Sequence, residues 1–139
     1  MIARIPQRTQ DDCTICAVAM IMGAAFPYER VLADSSKYPS ISEGRKFLAW
    51  WESYLSDNGF RKAYRPFLDL YSLPRFQGKV AGLLGMDFPH ERKSHVVVVD
   101  EVGVIDSANG SPSHCDLQTY ILSRIEDGAV FHKEFLGAC

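Results

Sequence analysis

No stretch of this chain approaches the roughly eighteen consecutive apolar residues of a membrane span, and Met1-Ile2-Ala3-Arg4-Ile5-Pro6 lacks the apolar run of a signal peptide. The expectation is a cytoplasmic protein. Charge of one sign is also lacking: 15 Lys and Arg against 17 Asp and Glu give a net charge of −2. That balance leaves no footprint for nucleic acid or an anionic membrane surface, so the expected partner is a peptide, a protein or a small molecule. Cysteine is scarce, at positions 13, 16, 115 and 139 only, too few and too unevenly spaced for a disulfide framework in a chain of 139 residues. Reduced thiols are therefore expected. Internal repeats and low-complexity segments are absent.

What is present suits one domain over residues 1–139, because 47% hydrophobic and 12% aromatic residues can build a real core but the length leaves no room for a second. The stretch Pro6-Gln7-Arg8-Thr9-Gln10-Asp11-Asp12 is polar and turns, at Cys13, into an apolar run of helical length that Gly23 can stop. Asp11 and Asp12 are N-cap candidates, which puts Cys13 at the start of a buried helix.

That placement has a chemical consequence. Unpaired N–H groups and the positive end of the helix dipole favour an anion at a helix start, and the thiolate is the reactive form of cysteine. The same N–H groups can hold an oxyanion when the sulfur attacks a carbonyl. An arbitrary cysteine is a small buried hydrophobe, and Cys16, one turn inside, keeps that structural reading.

Further along, Pro27 to Ala33 reads as a short helix with proline at its start, and Ser42 to Asp57 as a second long helix closed by Asn58-Gly59. Phe47, Leu48, Trp51, Tyr54 and Leu55 form its inward stripe, with Trp50 as a rim aromatic. From Phe60 the pattern changes to extended pieces: Lys62 to Phe67, a loop through Leu73-Pro74, and a strand from Lys79 to Met86. A polar loop leads to His95-Val96-Val97-Val98-Val99-Asp100, whose four valines predict a strand buried on both faces. Val104-Ile105-Asp106 is its hairpin return. After the loop Ser107 to Ser113, Asp116 caps a helix with Leu117, Tyr120, Ile121 and Ile125 inward, and a closing strand follows from Ala129 to Leu136. Helices first and strands second argue an α+β fold with a mainly antiparallel sheet.

A nucleophilic cysteine needs a base, and the base needs a third group to orient it. His95, at the mouth of the most buried strand, is the best placed of the four histidines. Hairpin pairing brings Asp106 beside it on one face, whereas Asp100, five residues along the strand from His95, points to the other. His90, His114 and His132 read as surface residues.

These residues resemble those of the papain-like cysteine peptidases that remove double-glycine leaders from bacteriocin precursors, and their stand-alone relatives. The family's opening motif, a Gln ahead of Asp-Cys and a small-residue-rich helix, matches Gln7, Asp12-Cys13 and Ala17-Val18-Ala19-Met20. Its second block, a His heading a hydrophobic strand and an Asp after a turn, matches His95-Val96-Val97-Val98-Val99 and Val104-Ile105-Asp106. The resemblance implies a papain-like fold with N-terminal helices packed on the sheet. It implies Cys13 as nucleophile, His95 as general base and acid, Asp106 as orienter, and the Gln7 amide as oxyanion donor beside the Cys13 N–H. It implies no cofactor. Two departures stand out: Thr14 follows the cysteine where the family has Gly, and the interval from His95 to Asp106 is shorter than the family's.

Other readings share some of these residues. Cys13-Thr14-Ile15-Cys16 is a C-x-x-C, which serves redox enzymes after a hydrophobic strand, although here a polar segment precedes it. With His114-Cys115 it would offer four zinc ligands. A silent papain-like module could capture peptides without cutting them. The same thiol chemistry could also cleave an isopeptide or deamidate a glutamine, since all pass through a thioester.

Overall fold

A computed structural model describes residues 2–38, 40–43, 46–48, 50–59, 81–108, 110–111, 114–131 and 136–138. The first helix, α1 (Cys13–Met22), begins at Cys13 and ends against Gly23, whose φ of 87° is the left-handed turn that glycine accepts. Eight of its ten residues are buried, so it has no polar face. Small Cys16, Ala17 and Ala19 let it sit close to its neighbours. Asp12 occupies the N-cap position as expected, but its side chain caps nothing in α1. One of its oxygens accepts instead from the Arg8 N–H at 2.9 Å and the Tyr28 hydroxyl at 2.8 Å, tying the polar lead-in to the next helix, α2 (Tyr28–Ser35). Asp11 is exposed.

The long helix expected over Ser42 to Asp57 is a correction. Residues Ile41–Glu43 (β1) and Lys46–Leu48 (β2) pair as an antiparallel ladder that closes at Glu43↔Lys46, and only Trp50–Asp57 is helical (α3). The sequence carries Gly44 between them, a poor helix former that the apolar spacing outweighed. Phe47 and Leu48 therefore stand in a strand, while Tyr54 and Leu55 are buried as expected and both tryptophans pack against the core. Trp50 sets its ring 5.9 Å from that of Tyr54. The extended piece expected at Lys62 to Phe67, the loop expected through Leu73-Pro74, and His132 lie outside the described residues.

The sheet is antiparallel throughout. β3 (Ala81–Phe88) and β4 (Lys93–Val99) form a hairpin in register from Gly82↔Val99 to Phe88↔Lys93, and β5 (Val104–Ile105) returns along β4 with Val98↔Ile105 and Val99↔Val104. On the free side of β3 lie β6 (Val130–Phe131) and β7 (Leu136–Ala138), where one closing strand was expected. The order is β5-β4-β3-β6, with β7 on the same edge as β6.

Alternation along β4 divides the core. Val96 and Val98, with Ile105, join the cluster around α1, α2 and α3, whereas Val97 and Val99, with Val104, join Leu84, Met86 and the residues of α4 (Leu117–Glu126). Both faces of the sheet are thus covered, which is why four consecutive valines are tolerated. Asp116 caps α4, accepting from the Thr119 N–H at 3.0 Å. Leu117, Tyr120 and Ile121 face inward, but Ile125, expected with them, is 39% exposed because the covered stripe spans only the first turns of the helix. The described residues are thus α+β, with the N-terminal helices against one face of the sheet and α4 against the other. Among them no helix is long and apolar enough to cross a membrane.

Candidate active site

The tight antiparallel return of β5 sets the site. Val98↔Ile105 pairing carries Asp106 opposite Val97, so its side chain shares a face with His95 two residues away on β4. His95 Nε2 lies 2.7 Å from Asp106 Oδ1. Burial alone would raise the Asp106 carboxyl, yet the hydrogen bond and charge of His95, the Tyr120 hydroxyl and the Ala108 N–H together hold it below the ordinary carboxylate range. Facing an ionised carboxylate, Nε2 must be the protonated nitrogen, which leaves Nδ1 for another partner.

The neighbour on that side is Cys13. The first residue of α1 packs where β4 begins and opens onto the same cleft as His95, whose imidazole, with the Val96 backbone N–H, supplies the hydrogen-bonding groups that act on its sulfur. Burial pushes the Cys13 thiol up, but these two hydrogen bonds, the charge of His95 and the Thr14 hydroxyl at 3.9 Å bring it below the ordinary thiol value. Burial likewise disfavours a charged ring at His95, and the hydrogen bonds and charges of Asp106 and Cys13 overcome it, raising the imidazole to about 9. Each partner stabilises the other's ion. The arrangement favours the thiolate–imidazolium form over what an isolated cysteine and histidine would show.

Gln7 lies on the wall of the same cleft, a cavity of about 900 Å³ onto which Cys13, His95 and Asp106 also open. Its backbone N–H donates to the Ser107 carbonyl at 2.8 Å and its Oε1 accepts from the Ser107 hydroxyl at 3.3 Å. Its Nε2 donates to the Thr9 carbonyl at 3.1 Å, so the amide must leave that oxygen before it can serve another. Gln10 is exposed on the same wall.

The two cysteines of the C-x-x-C have opposite environments. Cys16 is fully buried, with its sulfur 3.7 Å from the Pro6 carbonyl and 3.9 Å from Asp12 Oδ2; burial and the Asp12 charge push its thiol up to about 12. It is a core residue. His114 departs from expectation: it is mostly buried and its Nε2 lies 3.1 Å from Asp100 Oδ2. Asp100 is fully buried, and its other oxygen accepts from the Val102 and Gly103 N–H groups and so shapes the β4–β5 turn. No group of three His, Cys, Asp or Glu side chains among the described residues could hold a metal ion. His90 is exposed.

Two residues of the site went unseen in the sequence. Tyr120 donates its hydroxyl to Asp106 Oδ2 at 2.7 Å from within the α4 stripe. The available signal was a hydroxyl on an otherwise apolar inward face, which must find a buried acceptor. Arg4 spreads its guanidinium over the 106–108 loop, with Nε 2.8 Å from the Asp106 carbonyl and one terminal nitrogen 2.7 Å from that of Ala108. Nothing in its sequence neighbourhood points there. Compared with protein-family models, with curated proteins and with solved structures, the chain matches none.

Proposed function

We propose that this chain is a thiol hydrolase that cleaves a peptide or isopeptide bond in a peptide or protein substrate, with Cys13 as nucleophile, His95 as base and acid, and Asp106 as the group that orients His95. The observation that carries the reading is the continuous line from Asp106 through His95, at 2.7 Å, to a helix-start cysteine whose thiol is held below its ordinary value. Nucleophile, base and orienter are then each in reach of the next.

In this reading the Cys13 proton passes to His95 Nδ1 and the thiolate attacks the amide carbon. The oxyanion rests on the Cys13 backbone N–H and on the Gln7 amide, once that amide turns from Thr9. Collapse breaks the C–N bond as His95 returns the proton to the departing amine, leaving a thioester. Water, deprotonated by His95, then releases the acid. The route needs no cofactor. It needs a reduced thiol, which fits a cytoplasmic setting. A papain-like arrangement, helices bearing the nucleophile against a sheet bearing the base, is the fold this reading implies.

The test is the rate of iodoacetamide alkylation of each cysteine against pH, read by peptide mass spectrometry in wild type and in His95→Ala. Cys13 alone should react fast below pH 7, and should slow without His95. If Cys13 reacts no faster than Cys115, or ignores the loss of His95, the assignment fails.

A further inference from the structure

The walls of the cleft carry more positive charge than the chain as a whole. Among the described residues, Arg8, Arg92, Lys93 and Arg124 line it against only two carboxylates, Asp11 and Asp106, and Asp106 is already committed to His95, Ala108 and Tyr120. The cations come from separate parts of the chain: Arg8 from the lead-in to α1, Arg92 and Lys93 from the β3–β4 turn and the first residue of β4, and Arg124 from α4. Three of them have acidic partners, Arg8 with Glu29 at 2.7 Å, Lys93 with Glu91 at 3.4 Å and Arg124 with Asp127 at 2.9 Å. None of those three carboxylates stands on the cleft wall, so each pair turns its positive end inward. The Arg8 and Lys93 pairs are at least half exposed at both ends, which makes them weak and exchangeable. Arg92 makes no ion pair among the described residues.

Arg92 is also the only non-glycine residue with positive φ among the described residues, at 52°. It closes the four-residue turn between Phe88 and Lys93, a position that glycine would fill without steric cost. The chain instead sets a guanidinium there, at the lip of the cleft and on the hairpin that carries His95.

We propose that the cleft takes an acidic peptide segment, whose carboxylate side chains meet Arg92 and Lys93 on one lip and Arg8 and Arg124 around the remaining wall. This rests on the thiol-hydrolase reading for its chemistry but not for its binding. Carboxylates suit the site because guanidinium groups recognise them in pairs, and cations around a cleft raise the local concentration of an anion. A peptide fits better than a nucleic acid, since the cleft gathers only four Lys and Arg side chains in a chain with net charge −2, too few to follow a phosphate backbone.

The probes are hexaglutamate and hexaglutamine carrying the same dye, followed by fluorescence anisotropy, with alkylation of Cys13 measured in parallel. At low ionic strength hexaglutamate should bind about tenfold tighter than hexaglutamine, and the preference should collapse between about 0.02 and about 0.3 M salt. Bound hexaglutamate should shield Cys13 from iodoacetamide. The double variant Arg92→Gly, Lys93→Gln should lose most of the preference; glycine fits the turn at φ 52°, so a folding failure is not built into the test. The control Arg30→Gln, Lys37→Gln removes equal charge away from the cleft and should keep the preference. Equal binding of the two probes, equal loss in the control, or binding that leaves Cys13 unshielded would overturn the proposal. Slow alkylation of Cys13 without any peptide would instead overturn the hydrolase reading, and the anisotropy would still report on the docking.

Discussion

Replacing Asp106 by asparagine takes one charge from the centre of the site and leaves its shape almost unchanged. In wild type, burial works against the protonated His95 ring, while the 2.7 Å hydrogen bond to Asp106, that to Cys13 and the charges of both raise it from 6.5 to about 9. At roughly 1.4 kcal/mol per tenfold change in proton affinity, this rise is worth about 3 kcal/mol to the charged ring. Asp106 supplies the strongest of the raising influences. Without it, burial stands against the thiolate alone, and His95 should titrate below about 7. Cys13 in turn loses its cationic partner at neutral pH, so its alkylation at pH near 7.5 should fall about tenfold. The sign of the stability effect follows from the raised value: the contribution is complete below pH 6.5 and is lost as pH climbs through about 9. Urea denaturation in Cys13→Ala, where no thiolate titrates beside the ring, should show this decline, by at most about 3 kcal/mol, and the further change Asp106→Asn should flatten it. The His95 ring itself can be followed by NMR against pH. A ring still titrating near 9 in Asp106→Asn, or an unchanged Cys13 rate, would refute the argument.

Tyr120→Phe should leave Asp106 Oδ2 without its 2.7 Å donor in a buried place and cost about 1.5–3 kcal/mol at pH 7 in urea denaturation. Because the Asp106 carboxyl is held low, that cost should persist through mildly acid pH and shrink only as pH falls through its folded value; a cost that grew on acidification would contradict the mechanism. Gly103→Ala would set a Cβ 2.3 Å from the Cys115 carbonyl oxygen, so β5 and the Asp106 that follows it must shift. Thermal denaturation should register about 1–3 kcal/mol, accompanied by slower Cys13 alkylation. Gln7→Ala should lower kcat on a cleavable fluorogenic peptide by roughly 10²–10³ with KM little changed, and an unaltered kcat would remove Gln7 from the oxyanion site.

The parts of this architecture that were legible in the sequence are those where a local rule and the tertiary environment agree. The valines of β4 read as a doubly buried strand because burial on both faces suppresses alternation, and they proved to divide between two core clusters. Asp116 and Gly23 marked helix ends because capping and left-handed turns depend on single residues. Juxtaposition of His95 and Asp106 was accessible because a tight hairpin fixes register over a few residues. The failures have the opposite origin. Apolar spacing from Phe47 to Leu55 spans a strand and a helix, and neither period is long enough to expose the join. His114 reads as a loop residue until Asp100, fourteen positions earlier, is seen to be fully buried with an Oδ2 that takes His114 beside the Ile2 N–H. Tyr120 and Arg4 act on Asp106 and its loop through contacts that no local pattern encodes.

Those last contacts bear on how the site stays aligned. Cys13 belongs to an N-terminal helix and His95 to a central strand, so the alignment that the proposed chemistry needs depends on ties between distant segments. The 106–108 loop supplies most of them: the Asp106 side chain takes His95, the Ala108 N–H and Tyr120, while the Asp106 and Ala108 carbonyls receive Arg4 and the Ser107 carbonyl receives the Gln7 N–H. One short loop thus fixes both the orienting carboxylate and the segment that leads into Cys13. The bonds on Asp106 are charge-assisted and buried, which makes them stronger and more directional than the exposed ion pairs around the cleft. In the proposed thiol-hydrolase reading the division has a use: a stiff centre where proton transfer would demand fixed distances, and a yielding charged rim where different side chains would be accommodated.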